Sequence, residues 1–82
     1  MTPAEQMLSY ISTEFVKHAK SPLTEDTPLV SSGLIDSLSL VTLLIELERV
    51  TSRRIPPGRV RPQDLETVRT MLATAERVGR PR

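Results

Sequence analysis

The residue types of hydrolytic chemistry are all present in this chain, with a serine preceded by an acid, Asp36-Ser37, and one histidine, His18. A nucleophile, a base and an orienting carboxylate could in principle make a triad. Asp36 and Ser37 are adjacent, however, and compete for the cap of one helix, and the sequence offers neither an oxyanion hole nor a substrate pocket. No enzyme is expected. The position of the pair suggests a different chemistry. Gly33 can supply the positive φ of a turn. Asp36 is a good N-cap, because its carboxylate can accept a bond from a first-turn N–H. Ser37 then falls at the helix mouth, where unpaired N–H groups and the positive dipole end favour an anion. On spacing alone, the pair reads as a helix cap and nothing more.

The elements that would position Ser37 follow from the periodicity. Thr2-Pro3-Ala4-Glu5 opens a first helix with a capping box and a proline at its first position. Met7, Leu8, Ile11, Phe15 and Ala19 recur at spacings of three and four and make its apolar stripe. His18 lies near its end, where an imidazole suits the negative dipole end and reads as a surface residue. Ser21-Pro22 stops the helix. A long connection then runs to Ile35, and Leu23, Leu29, Val30, Leu34 and Ile35 are expected to pin it to the bundle. The second helix is predicted from about Ser37 to Val50. Its polar stripe is Ser39, Thr42, Glu46 and Arg49, and its core stripe is Leu40, Leu43, Leu44 and Leu47. Leu38, Val41 and Ile45 form a further apolar stripe that starts beside Ser37. A helix in so small a domain cannot easily bury both, so this stripe is expected to meet a partner.

Residues Thr51 to Arg61 make a poor helix, broken by Pro56-Pro57-Gly58 and Pro62, with one short turn around Gly58 to Arg61. Ile55 and Val60 should fasten this segment to the core. Asp64 or Thr67 caps a last helix whose apolar face is Val68, Met71, Leu72, Ala75 and Val78. Gly79-Arg80-Pro81-Arg82 stops it and is expected to fray. No strand is predicted. The fold class is all-α, a small bundle of three to four helices with a long ordered loop between the first two, forming a single domain over residues 1–82.

Composition narrows the function. A chain of 82 residues buries only about 60–65% of its unfolded surface, which argues against a deep catalytic pocket. It has no cysteine and one histidine, so neither a thiolate nor a histidine-cluster metal site is available. No apolar run reaches the length of a bilayer span, and Met1-Thr2-Pro3-Ala4-Glu5 is not a signal peptide. A cytoplasmic location, with no membrane contact, is expected. Net charge is +1, yet residues 1–48 carry two lysines against seven acids, whereas residues 49–82 carry nine arginines against three acids. Such asymmetry can mark a nucleic-acid or acidic-partner surface, with solvated arginines as the plainer reading. One Tyr and one Phe leave almost nothing for bases to stack on, so nucleic acid is not an expected partner.

The segment Asp26-Thr27-Pro28-Leu29-Val30-Ser31-Ser32-Gly33-Leu34-Ile35-Asp36-Ser37-Leu38 resembles the attachment region of acyl carrier and peptidyl carrier proteins. In that family an acid, a leucine three residues on, a glycine and then Asp-Ser-Leu precede an aliphatic helix. Ile55 and Asp64-Leu65-Glu66-Thr67-Val68 are similar to the family's entries into the third and fourth helices, so the resemblance spans nearly the whole chain. It implies that Ser37 is esterified by 4′-phosphopantetheine from coenzyme A, transferred by a separate phosphopantetheinyl transferase. It also implies that Asp36 helps that enzyme engage, and that Leu38, Val41 and Ile45 face partners. The chain would then be a monomeric, non-catalytic carrier holding an acyl or aminoacyl group as a thioester. Partners would be an adenylating enzyme or acyltransferase that loads the cargo, and condensing or tailoring enzymes downstream. Carriers of fatty acid synthesis have an acid-rich second helix, whereas here only Glu46 and Glu48 precede Arg49. The chain also resembles D-alanyl carriers and discrete carriers of polyketide and nonribosomal peptide pathways, and a free-standing carrier of a specialised pathway is the reading adopted. Two rivals remain: a docking module without the arm, and a small basic nucleic-acid binder using Arg53, Arg54, Arg59 and Arg61.

Overall fold

Thr2 starts the first helix, α1 (Pro3–Glu14), by a reciprocal cap. Its hydroxyl accepts from the Glu5 N–H at 3.1 Å, and the Glu5 carboxylate accepts from the Thr2 N–H at 3.0 Å. Pro3 occupies the first helical position, where its missing N–H would have had no intrahelical partner. Met7 and Ile11 are fully buried, and Leu8 and Phe15 pack against the same core. The computed structural model describes residues 1–15 and 23–81, so His18, Ala19, Ser21 and Pro22 lie outside the described residues.

A single 3₁₀ turn, Ser37–Ser39, leads directly into α2 (Leu40–Thr51). The predicted helix start is therefore right in place, but its first turn is wound tighter than an α-helix. Leu43, Leu44 and Leu47 enter the core and Leu40 packs beside it, as the stripe requires. The helix ends with Ser52 in the left-handed region at φ 55, a conformation more often taken by glycine. The Glu48 carboxylate then accepts from the Ile55 N–H at 2.7 Å, which folds the following segment back against the helix. Ile55 is buried there and Val60 is half-buried, both as expected.

The short turn predicted at Gly58 to Arg61 occurs slightly earlier, as a 3₁₀ turn at Pro57–Arg59. A second one, Pro62–Leu65, precedes α3 (Val68–Val78). Asp64 and Thr67, the two predicted caps, are both used. Asp64 accepts from the Arg61 N–H at 2.8 Å in the 3₁₀ turn, and the Thr67 hydroxyl accepts from the Thr70 N–H at 3.0 Å at the start of α3. Val68, Met71, Ala75 and Val78 are buried, Leu72 is half-buried, and α1, α2 and α3 pack pairwise around them.

Two expectations need correction at the C-terminal end. Arg53–Arg54 (β1) and Arg80–Pro81 (β2) pair antiparallel, Arg53 opposite Pro81 and Arg54 opposite Arg80, where neither a strand nor an ordered tail was predicted. Gly79 makes this possible. A Cβ there would collide with the Ala75 carbonyl oxygen, a backbone atom that cannot move aside, so only glycine lets the chain leave α3 along this path past Arg53. The fold is otherwise the expected all-α bundle.

Candidate functional site

The connection before Ser37 is held by polar clamps as much as by apolar pins. Leu29 and Ile35 are buried and Leu23 packs against the core, as expected. Leu34 corrects the list of pins, being 39% exposed. The turn at Gly33, with φ 81, and the bond from the Ile35 N–H to the Leu29 carbonyl at 3.0 Å direct Ile35 inward, and its neighbour is left outside.

The principal clamp is Glu66, which the sequence reading placed only within a family-like segment. One carboxylate oxygen accepts from the N–H groups of Leu29, Val30 and Ser31 at 2.9, 3.0 and 3.0 Å. These bonds, that of Ser31 foremost and those of Val30 and Leu29 with it, hold the Glu66 carboxyl below the usual carboxylate range. A second clamp joins Asp26 to Arg69 by two parallel bonds of 2.7 and 3.0 Å, and it lowers the Asp26 pKa through the guanidinium. The Arg69 N–H also donates to the Glu25 carbonyl at 3.0 Å. The start of α3 thus grips the loop at both ends of 25–31. A glutamate within reach of three consecutive loop N–H groups leaves no periodic signal, so no local pattern could have found it.

This arrangement predicts an acid-sensitive loop. Because the folded Glu66 and Asp26 carboxyls titrate below their unfolded values, their stabilisation is complete above the unfolded carboxyl pKa of about 4 and is lost as pH falls through the folded values. Glu66→Gln keeps the acceptor but not the charge. It should lower the melting temperature at neutral pH, with the gap to wild type closing as pH falls. Amide hydrogen exchange at Leu29, Val30 and Ser31 should accelerate in parallel. Melting curves that stay separated by the same amount down to acid pH would show that the charge on Glu66 does not hold the loop.

Beyond this loop, Asp36 takes an extended conformation, and its Oδ1 accepts from the Ser39 N–H at 2.9 Å, the predicted cap one turn in. That bond engages the carboxylate locally, in a role unlike that of a triad orienter. Ser37 is the first residue of the 3₁₀ turn and its side chain is exposed. The N–H groups of the first residues of such a helix have no intrahelical acceptor. The stripe next to it is exposed throughout: Leu38 is 88%, Val41 66% and Ile45 61% exposed. Five large hydrophobic side chains in all are exposed among the described residues, and these three share one helix face beginning beside Ser37. One face of this small domain thus leaves three large apolar side chains in water.

The charge around that stripe is low. Glu46 is ion-paired with Arg49 on its own helix, and Glu48 is turned toward Ile55. A groove of about 210 Å³ runs alongside, lined by Leu40, Val41, Leu44, Val60, Arg61 and Leu65 with Pro57 and Pro62 at its edge. The structure therefore brings Asp36, Ser37, Leu38, Val41 and Ile45 together at one end and one face of α2. The only histidine lies outside the described residues, and among the described residues no group of His, Cys, Asp and Glu could hold a metal ion.

Comparison with known proteins gives two matches. Residues 11–75 match the family described as "Phosphopantetheine attachment site". A curated relative, the "Probable acyl carrier protein PigG" of Serratia sp. (strain ATCC 39006), is 26% identical over 73 residues, which cover 89% of this chain and 84% of that protein.

Proposed function

Because the chain belongs to the family of proteins with a phosphopantetheine attachment site, we propose that Ser37 is its point of attachment. The protein is a carrier of acyl groups, and its cofactor is 4′-phosphopantetheine, derived from coenzyme A. Its partners include a phosphopantetheinyl transferase and biosynthetic enzymes.

The observation that supports Ser37 is its setting. It is an exposed hydroxyl on the first residue of a capped helix start, flanked by Asp36 and by an almost fully exposed Leu38. A separate enzyme must reach this oxygen, and Ser37 is exposed among the described residues. An unactivated serine suffices when the transferase brings the metal and base. The helix mouth favours negative charge at this position, and the Asp36 cap fixes the backbone that presents the hydroxyl. When attached, the group supplies a terminal thiol that holds cargo as a thioester. The chain raises the local concentration of that cargo at successive enzymes by docking and tethering, and contributes no catalytic residue itself.

In this reading residues 1–82 form one carrier domain that acts as a monomer in the cytoplasm, without nucleic acid or membrane as partner. Asp36 helps the transferase engage, and Leu38, Val41 and Ile45 meet partner enzymes. The cargo is an acyl or aminoacyl unit of a polyketide, nonribosomal peptide or related pathway. It is loaded by an acyltransferase or an adenylating enzyme and passed to condensing or tailoring enzymes.

Intact-protein mass after incubation with coenzyme A, magnesium and a broad-specificity phosphopantetheinyl transferase tests the proposal. The expected result is gain of one phosphopantetheine. A folded sample that gains none with several transferases would leave the chain as a docking module and Ser37 as a helix cap. A second expectation concerns the apolar face. Ile45→Asp should change stability by under about 1 kcal/mol, since the side chain is already in water, while cargo loading of the armed protein is impaired. A cost of several kcal/mol, as for an unpaired buried charge, would remove Ile45 from the interface.

A further inference from the structure

Three of the nine arginines in residues 49–82 meet at one place that the attachment chemistry does not use. Arg59, Arg61 and Arg77 line a cleft of about 460 Å³ together with Gly58, Gln63 and Asp64. The lining carries three positive charges against one carboxylate, and that carboxylate lies 3.5 Å from the Arg77 guanidinium. Among the described residues, Arg59 and Arg61 have no carboxylate within ion-pair distance. Arg61 also lines the apolar groove beside Val41, so the cleft and the exposed face of α2 adjoin.

We propose that the Arg59–Arg61–Arg77 cleft and the adjoining Leu38–Val41 face form one docking surface for a partner protein whose contact surface is acidic. The inference rests on the carrier reading and adds to it the charge of the partner. An apolar centre with cations at its rim is complemented by an apolar patch bordered by Asp and Glu side chains. A nucleic acid fits less well. Its backbone has no apolar counterpart to Leu38 and Val41, Asp64 would oppose its phosphates, and both aromatic residues are elsewhere, Tyr10 and Phe15 packing edge-on against each other at 6.0 Å. A second copy of the chain fits poorly too, because seven of its ten carboxylates are already engaged, and Glu14 and Glu76 of the other three line separate clefts. Glu5, Asp36 and Asp64 cap helices, Glu66 holds the loop, Glu48 binds a backbone N–H, and Asp26 and Glu46 are paired with arginines.

The test is an NMR titration of the isotope-labelled, unmodified protein with a poly-glutamate peptide, a poly-lysine peptide and a short DNA duplex. The expected result is a set of shifts centred on Gly58, Arg59, Arg61 and Gln63 with poly-glutamate alone. The shifts should shrink as the Debye length falls from about 30 Å at 0.01 M salt to about 8 Å at 0.15 M. Arg59→Glu with Arg61→Glu should weaken binding by about tenfold or more, and the milder Arg59→Gln with Arg61→Gln by less. Arg54→Glu with Arg80→Glu makes the same change in net charge on the β1–β2 pair, away from the cleft, and should retain most of the affinity. Equal losses in the two charge-reversed variants would reduce the effect to net charge and overturn the proposal. So would tighter binding of the duplex than of poly-glutamate at 0.15 M salt, or a dimer in solution that the cleft variant dissociates. Failure of Ser37 to accept the arm would sink the carrier reading by mass alone and leave this titration unaffected.

Discussion

Ser37→Ala should gain no mass under conditions in which the wild-type protein is fully armed, and it should carry no cargo at all. The effect is all-or-none because the substitution deletes the only atom to which the arm would be joined, and among the described residues no other serine follows a capping acid at a helix start. Ser39 closes the 3₁₀ turn and is half-buried, and the Ser32 hydroxyl donates to the Pro28 carbonyl at 2.6 Å. The folded structure should be preserved. The Ser37 side chain is exposed, and exposed substitutions away from special contacts stay within about 0.5 kcal/mol. The cap that starts the helix belongs to Asp36 and survives. The diagnostic result is therefore a variant with the wild-type circular dichroism spectrum and melting temperature that remains at its unmodified mass. An alanine variant that still gained one phosphopantetheine would move the attachment point elsewhere and dissolve the role assigned to Asp36-Ser37-Leu38.

Leu47→Ala should produce the largest loss of stability, about 2–5 kcal/mol. Leu47 is fully buried in the cluster shared by the three helices, so truncation removes its transfer free energy and leaves a cavity that a small bundle can close only in part. A domain of 82 residues has roughly 4–12 kcal/mol in total, so this one change takes up a large share of it. At about 4–8 °C per kcal/mol for a domain of this size, the melting temperature should fall by at least about 8 °C. Urea denaturation with an unchanged slope and a lower midpoint would confirm a loss of core packing. A drop below about 1 kcal/mol would mean that α2 does not seat its Leu43–Leu47 side as described. The contrast with Ile45, two positions away on the same helix and 61% exposed, makes the pair a sensitive readout of which side of α2 faces inward.

The helix start at Ser37 and the burial of Leu47 were readable from residue types alone, whereas the attachment role of Ser37 came only from the family resemblance. Helical periodicity assigned Met7, Ile11, Leu43, Leu47, Met71 and Ala75 to the core, and cap chemistry at Thr2, at Asp36 and at Asp64 or Thr67 located the helix starts to within a few residues. Both signals act over one or two turns, within the reach of local pattern. The exposed stripe Leu38, Val41 and Ile45 was legible for the same reason, since a short bundle cannot enclose a helix that is apolar on two sides. What escaped were contacts between distant positions. Glu66 with the 29–31 amides, Arg69 with Asp26, and Arg80 with Arg54 join segments whose sequences carry no mark of one another. Leu34 was misassigned because hydrophobicity cannot tell which of two adjacent loop residues turns inward. Gly79 was read as a simple stop, whereas its missing Cβ avoids a collision with the Ala75 carbonyl and lets the chain turn back beside Arg53.

The Glu66 clamp also bears on the order in which the protein assembles. Its acceptor and the nearest of its donors, Ser31, are 35 positions apart, so the segment that presents Ser37 depends on a contact spanning almost half of the chain. Helices α1 and α2 can begin to form from local contacts, but closing so long a loop requires an entropic cost to be met before its bonds form. The segment before Ser37 is therefore expected to take its final shape only once residues near 66 have come back across it. During synthesis Ser37 leaves the ribosome well before Glu66 does. A nascent chain halted between the two would display the serine on a loop that lacks its clamp, so a transferase that reads the folded surface should act only after residue 66 has been made.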